Sequence, residues 1–154
     1  MIMTKEDYMR MALAEARKAY KLGEIPIGAV ITKDDKIISA AYNRRETGKN
    51  ALFHAETEAI YKACEALGGW RLWECELYVT LEPCPMCAGA IVNARIPKIY
   101  FGAYDLKNGA CSSNLNIFNM KDNFRPEYEG GVLSDECSEI IKKFFRELRE
   151  TADS

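Results

Sequence analysis

One histidine sets the strongest constraint on how this chain can fold. It is His54, in His54-Ala55-Glu56, and Pro83-Cys84-Pro85-Met86-Cys87 begins twenty-nine residues later. An imidazole and two thiolates make three protein ligands for zinc, and a catalytic zinc site keeps its fourth position for water. For the three to meet, the fold must carry two separated segments to one point. Each motif falls at the start of an expected helix. On an ideal helix, residues two apart point about 200° apart, so His54 and Glu56 reach one point only from a first turn. Cys84 and Cys87 are three apart and share a face. A helix N-terminus also favours anions, which helps to keep sulfur as thiolate. Glu56 is then placed to move protons to and from a water beside the metal.

Each signal also has a plainer reading. Cys-x-x-Cys after a strand fits a thioredoxin-like dithiol, and a single histidine can be structural. The conjunction of the motifs, each at a helix start, points to zinc. A purely structural zinc wants a fourth protein ligand. No second histidine exists, and Cys64, Cys75, Cys111 and Cys137 sit in unrelated patterns. Cys64 and Cys137 read as small buried hydrophobes. Glu82, just before Pro83, reads as a solvated or backbone-bonded strand end.

Periodicity predicts a helix over 5–22, stopped by Gly23. Strands follow over 25–32 and 37–42, joined through Lys33-Asp34-Asp35-Lys36 as a hairpin. A polar loop over 43–50 leads into a helix over 54–67, which Gly68-Gly69 end. A strand over 76–81, a helix over 85–94 and a strand over 98–103 come next. Residues 105–126 read as loop with helical fragments, 128–133 as a short strand, and a last helix starts at Ser134. Helices alternating with strands predict a three-layer α/β/α sandwich around a mixed sheet of about five strands. The β-α-β-α-β stretch implies parallel neighbours, with both helix starts at the ends of adjacent parallel strands. The 154 residues suit a single domain over 1–154. No apolar run approaches the roughly 20 residues of a membrane span. The opening Met1-Ile2-Met3-Thr4-Lys5-Glu6-Asp7 lacks a secretion signal's pattern, so a cytoplasmic protein is expected. The formal net charge is −2, so any nucleic-acid binding must use a local patch.

His-x-Glu followed by Pro-Cys-x-x-Cys is the signature of the zinc nucleobase deaminases. The sequence resembles the cytidine deaminase superfamily, and most of all its tRNA-specific adenosine deaminase branch. The resemblance also runs through Gly23-Glu24-Ile25-Pro26-Ile27-Gly28-Ala29-Val30, Asn43-Arg44, Trp70-Arg71-Leu72, Leu77 to Ala90, Phe101-Gly102-Ala103 and Phe144-Phe145-Arg146. It implies a cytidine deaminase-like fold and hydrolytic deamination of adenosine to inosine at the wobble position of a tRNA anticodon. It also implies one Zn2+ per subunit held by His54, Cys84 and Cys87, with Glu56 as proton shuttle. Asn43 resembles the family's pocket asparagine, and Asp105 matches a loop aspartate close to the substrate backbone. A homodimer acting on the anticodon stem-loop is implied too. The alternative is a deaminase of a free base or nucleoside such as guanine or cytosine.

Two places depart from the family pattern. Leu52-Phe53 precede His54 where a small residue is common; Phe53 reads either as narrowing the pocket or as packed behind the helix start. Asn123-Phe124-Arg125-Pro126 stands where many relatives carry an Asn-His pair. Basic candidates for an RNA contact are Arg44, Arg45, Lys49, Lys107, Lys142, Lys143, Arg146 and Arg149, the last four also fitting a solvated helix face.

Overall fold

A computed structural model describes residues 2–152; residues 1, 153 and 154 of the expected domain lie outside the described residues. The chain runs α1 (Lys5–Lys21), β1 (Gly28–Lys33), β2 (Lys36–Tyr42), α2 (Ala55–Leu67), β3 (Cys75–Leu81), α3 (Pro85–Ala94), β4 (Lys98–Ala103), β5 (Glu127–Glu129) and α4 (Ser134–Ala152), with a short 3-10 turn at Ile117–Asn119. Thr4 caps α1 by accepting from the Asp7 N–H at 3.2 Å, while Asp7 returns the bond to Thr4 N–H. Asp34 and Asp35 both take positive φ, at 51° and 62°, which is the backbone of a two-residue primed turn.

The five strands form one sheet in the order β2-β1-β3-β4-β5. β1 pairs antiparallel with both β2 and β3. β3–β4 and β4–β5 are parallel. Strand alternation then sorts the core into two layers. Ala29, Ile31, Leu77 and Val79 face α2 and α3, meeting Ala59, Ala63, Ala88 and Ile91. Val30 and Tyr78 face the other way, onto Tyr8, Met9, Ala12 and Leu13 of α1; Cys137 of α4 joins that layer. This is the expected α/β/α sandwich. At Gly28 a Cβ would lie 2.0 Å from the Ala12 carbonyl and 2.5 Å from the Ala16 nitrogen, so only glycine lets β1 start against the backbone of α1.

Two expectations need correction. β2 and β3, which deliver the two motif helices, are not adjacent, because β1 folds back between them. The strand expected over 128–133 covers only Glu127–Glu129; Gly130-Gly131 end it, with Gly131 at φ 85°.

Candidate metal and substrate site

His54 and Cys84 are the N-cap residues of α2 and α3, and Glu56 and Cys87 lie in the first turns. Both motifs therefore sit at helix starts despite the intervening strand. Pro85 occupies the first helical position of α3, where its missing N–H costs no hydrogen bond. The Thr57 hydroxyl accepts from the His54 N–H at 3.2 Å and steadies the cap. Cys84 Sγ lies 3.7 Å and Cys87 Sγ 3.5 Å from His54 Nδ1. All three ligand atoms fall within 4.8 Å of one another. Bonds of about 2.3 Å to sulfur and about 2.0 Å to nitrogen, at tetrahedral angles, put ligand atoms about 3.5–3.8 Å apart. The cluster can hold a metal ion, and its donors fit zinc.

The electrostatics point the same way. A hydrogen bond shared with Cys87 holds the Cys84 thiol down to about 4, with His54 adding to the effect against the cost of burial. Sharing that proton, and burial, push Cys87 up. The bond to Cys84 raises His54. The three groups thus share protons that a bound cation displaces. Glu56 is 3 % exposed, and burial pushes its carboxyl up to about 7. A divalent cation at the cluster opposes that rise.

The cluster opens into a cleft of about 840 Å³. Asn43, Arg45, Glu56, Glu82, Asp105 and Lys107 line it, with apolar walls from Ile25, Ile27, Leu81, Ile141 and Phe145. The structure thus gathers His54, Glu56, Cys84, Asn43 and Asp105 at one opening, with Cys87 buried behind it. Asn43 donates through Nδ2 to the Ile25 carbonyl at 3.1 Å and accepts on Oδ1 from the Arg45 N–H at 3.1 Å. One N–H and one lone pair of its amide are left over from those two bonds. Asp105 Oδ1 accepts from the Lys107 and Asn108 N–H groups, folding the 105–108 turn.

Several residues sit elsewhere than a substrate role requires. Phe53 does not line the cleft: the Arg44 guanidinium stacks over its ring at 4.8 Å. Arg44 also forks onto Glu58, with Nε to Oε2 at 2.9 Å, and is committed to the loop. Residues 123–126 lie away from the cleft, with Arg125 bonded to Asn119 at 3.1 Å. On α4, Lys143 lies over Tyr20 and Arg146 near Glu139, while Ile141 and Phe145 reach the cleft. Sequence reasoning missed those two as cleft residues. The signal was an apolar stripe continuing past what the core buries, since Phe145 and Leu148 stay 36 % and 54 % exposed. Glu82 is backbone-bonded and not solvated: 2 % exposed, it accepts from Asp105, Cys111, Ser112 and Ser113 N–H groups. Cys75 and Cys111 are core residues, Cys137 is buried and Cys64 partly so; all six cysteines are free thiols.

A family profile described as MafB19-like deaminase matches residues 3–149. The tRNA-specific adenosine deaminase of Bacillus subtilis (strain 168) is 48% identical over 150 residues, covering 96% of this chain and 93% of the relative. The chain belongs to the tRNA-specific adenosine deaminase family. A solved structure from studies of A-to-I editing by tRNA:A34 deaminases superposes with a TM-score of 0.84 at 44% identity, covering 86% of this chain and 97% of that one. A guanine deaminase from Bacillus subtilis is more distant, at 34% identity and a TM-score of 0.65, covering 82% of this chain and 85% of that one. Family membership fixes the reaction class as hydrolytic deamination and the fold as cytidine deaminase-like. No helix among the described residues is long and apolar enough to cross a membrane.

Proposed function

We propose that this chain, as one cytoplasmic domain over residues 1–154, deaminates adenosine to inosine at the wobble position of a tRNA anticodon. The observation that carries the reading is the convergence of His54, Cys84 and Cys87 beside a buried carboxyl at the floor of an open cleft. His54, Cys84 and Cys87 hold one Zn2+ per subunit. When bound, zinc supplies an acidified water as nucleophile at neutral pH. Glu56 carries one proton of the attacking water to the ring nitrogen as the C–O bond forms, then carries the second, from the new hydroxyl, to the amine as the C–N bond breaks, so that adenosine and water give inosine and ammonia. Its first-turn position lets it reach the cleft without binding the metal. Asn43 offers its remaining amide valences to the base or ribose, and Asp105 lies where the flanking backbone passes. An anticodon adenosine is already single-stranded, so splaying it into the cleft is cheap.

The deciding experiment offers the zinc-loaded protein an anticodon stem-loop with adenine at the wobble position, beside free guanine and cytosine. Inosine in the RNA is expected. Activity on free bases alone overturns the reading and favours the alternative that the guanine deaminase resemblance raises. The assembly we infer is a homodimer. Tyr61, Trp70 and Trp73, on and beyond α2, are 66 %, 49 % and 53 % exposed, and an interface there would cover them. A monomer in sedimentation velocity at micromolar concentration rules the dimer out.

A further inference from the structure

Among the described residues, Glu82 is the one cleft-lining carboxyl that neither the metal chemistry nor an ordinary strand end explains. Its Oε1 accepts from the Asp105 N–H at 3.1 Å and from the Ser113 hydroxyl. Its Oε2 accepts from the N–H groups of Cys111, Ser112 and Ser113 at 3.2, 2.9 and 3.0 Å. A carboxylate offers about four lone-pair sites and no donor, and charge-assisted bonds are roughly twice as strong as neutral ones. Every donor comes from one segment, 105–113, which has no helix or strand to satisfy its backbone. That segment and Tyr104 supply one whole wall of the cleft: Tyr104, Asp105, Leu106, Lys107 and Asn108.

The packing leaves little slack. A Cβ at Gly109 would lie 2.3 Å from the Glu82 carboxyl carbon and 2.5 Å from the Asp105 carbonyl, so the loop wraps directly onto the carboxylate. The Ala110 N–H donates to the Pro83 carbonyl at 2.8 Å, a second tie to the same short stretch. Glu82 stands two residues before Cys84. The wall is therefore fixed to the metal ligands through two peptide units and one side chain.

We propose that Glu82 is a positioning residue for the RNA substrate: it holds the 105–113 wall at the spacing from the Cys84–Cys87 helix start that the target nucleotide needs. It touches neither the reacting atoms nor the metal. The proposal rests on the RNA reading above. It predicts an effect on substrate binding, whereas simple support of the fold predicts loss of folded, metal-loaded enzyme.

The test uses the full zinc-loaded chain with Glu82→Gln, which keeps the side-chain shape but turns one acceptor atom into a donor facing N–H groups. Gly109→Ala reaches the same contact from the loop side, and Ser113→Ala, which removes one bond, serves if the first two fold poorly. Zinc content, thermal midpoint, KM and kcat are measured, with stem-loop affinity read by anisotropy in a Glu56→Ala background. The expected result is a rise of about tenfold in Kd and KM, with zinc content and kcat within about twofold. Reduced kcat or zinc at unchanged Kd overturns the proposal, as does no change in any readout. Should the parent chain act on free bases alone, the RNA reading fails. The same KM-against-kcat comparison on the free base then decides what Glu82 does.

Discussion

At the level of single residues, the proposed function gives Glu56 the task of joining the metal cluster to the reaction. It occupies the first turn of α2, two residues after His54, and is buried to 3 % exposure. A positioned acid–base group contributes typically about 10²–10⁴-fold to rate. Glu56→Ala is expected to keep zinc, measured by atomic absorption, and to lose turnover by about that factor. An active variant would sink the proton-shuttle role. The convergence of His54, Cys84 and Cys87 was legible because metal ligation needs particular side chains at short spacings, and those spacings survive in the sequence. Glu82 was legible only as a solvated or backbone-bonded strand end, without its partners, and Glu24 not at all. Each is defined by which N–H groups it collects, and those lie 22 to 31 residues further along the chain. A lone Glu before Pro83 carries no mark of such partners. Phe53 was ambiguous for the same reason: only the fold shows that Arg44 lies over it.

Among the elements, helices and hairpin followed from periodicity and turn chemistry, and most of their bounds agree within three residues. What periodicity could not reveal was the neighbour of each strand. β1 inserts between β2 and β3 because a strand buried on both faces can pair on both edges, and sequence order does not choose the partners. The loop after β2 depends on a similar long-range contact. Glu24, 1 % exposed, accepts from the Glu46 N–H at 3.1 Å and the Thr47 N–H at 2.6 Å. Burial alone would raise its carboxyl, but the Thr47 and Glu46 donors and the Arg45 charge outweigh that and hold it below the usual 4.5. A carboxyl depressed in the folded state contributes stability that is present above its unfolded value and lost as pH falls through the folded one. Glu24→Gln should therefore lower the unfolding free energy at pH 7, and the gap to the parent should shrink as pH drops below about 4.5. Urea titrations of both proteins, stripped of metal so that ligand protonation does not intrude, measure the gap. A gap unchanged from pH 7 to pH 3.5 would show that the carboxylate charge is not what secures this loop.

For the whole molecule the question is how a chain of net charge −2 holds a polyanion. Uniform attraction is excluded, so the attraction must be local to the cleft rim. The basic residues near it are not equivalent. Arg44 is forked onto Glu58 and stacked on Phe53, and on α4 Lys143 lies over Tyr20. Arg45 lines the cleft, and its nearest carboxylate, Glu46, stands 3.8 Å away with both side chains well exposed. Such an exposed pair contributes little and is easily exchanged for a phosphate. Each phosphate neutralised on single-stranded nucleic acid adds about 0.7 to the slope of log affinity against log salt. Arg45→Ala should therefore weaken stem-loop binding at low salt and flatten that slope by about 0.7, with at most a small loss of stability through Glu24. Arg44→Ala should do the reverse, lowering stability through the loss of Glu58's partner while leaving the slope in place. Anisotropy titrations between 50 and 300 mM salt separate the two. If the slope is unaltered in Arg45→Ala, the phosphate contact lies elsewhere, and Lys107, which also lines the cleft, is the residue to substitute next.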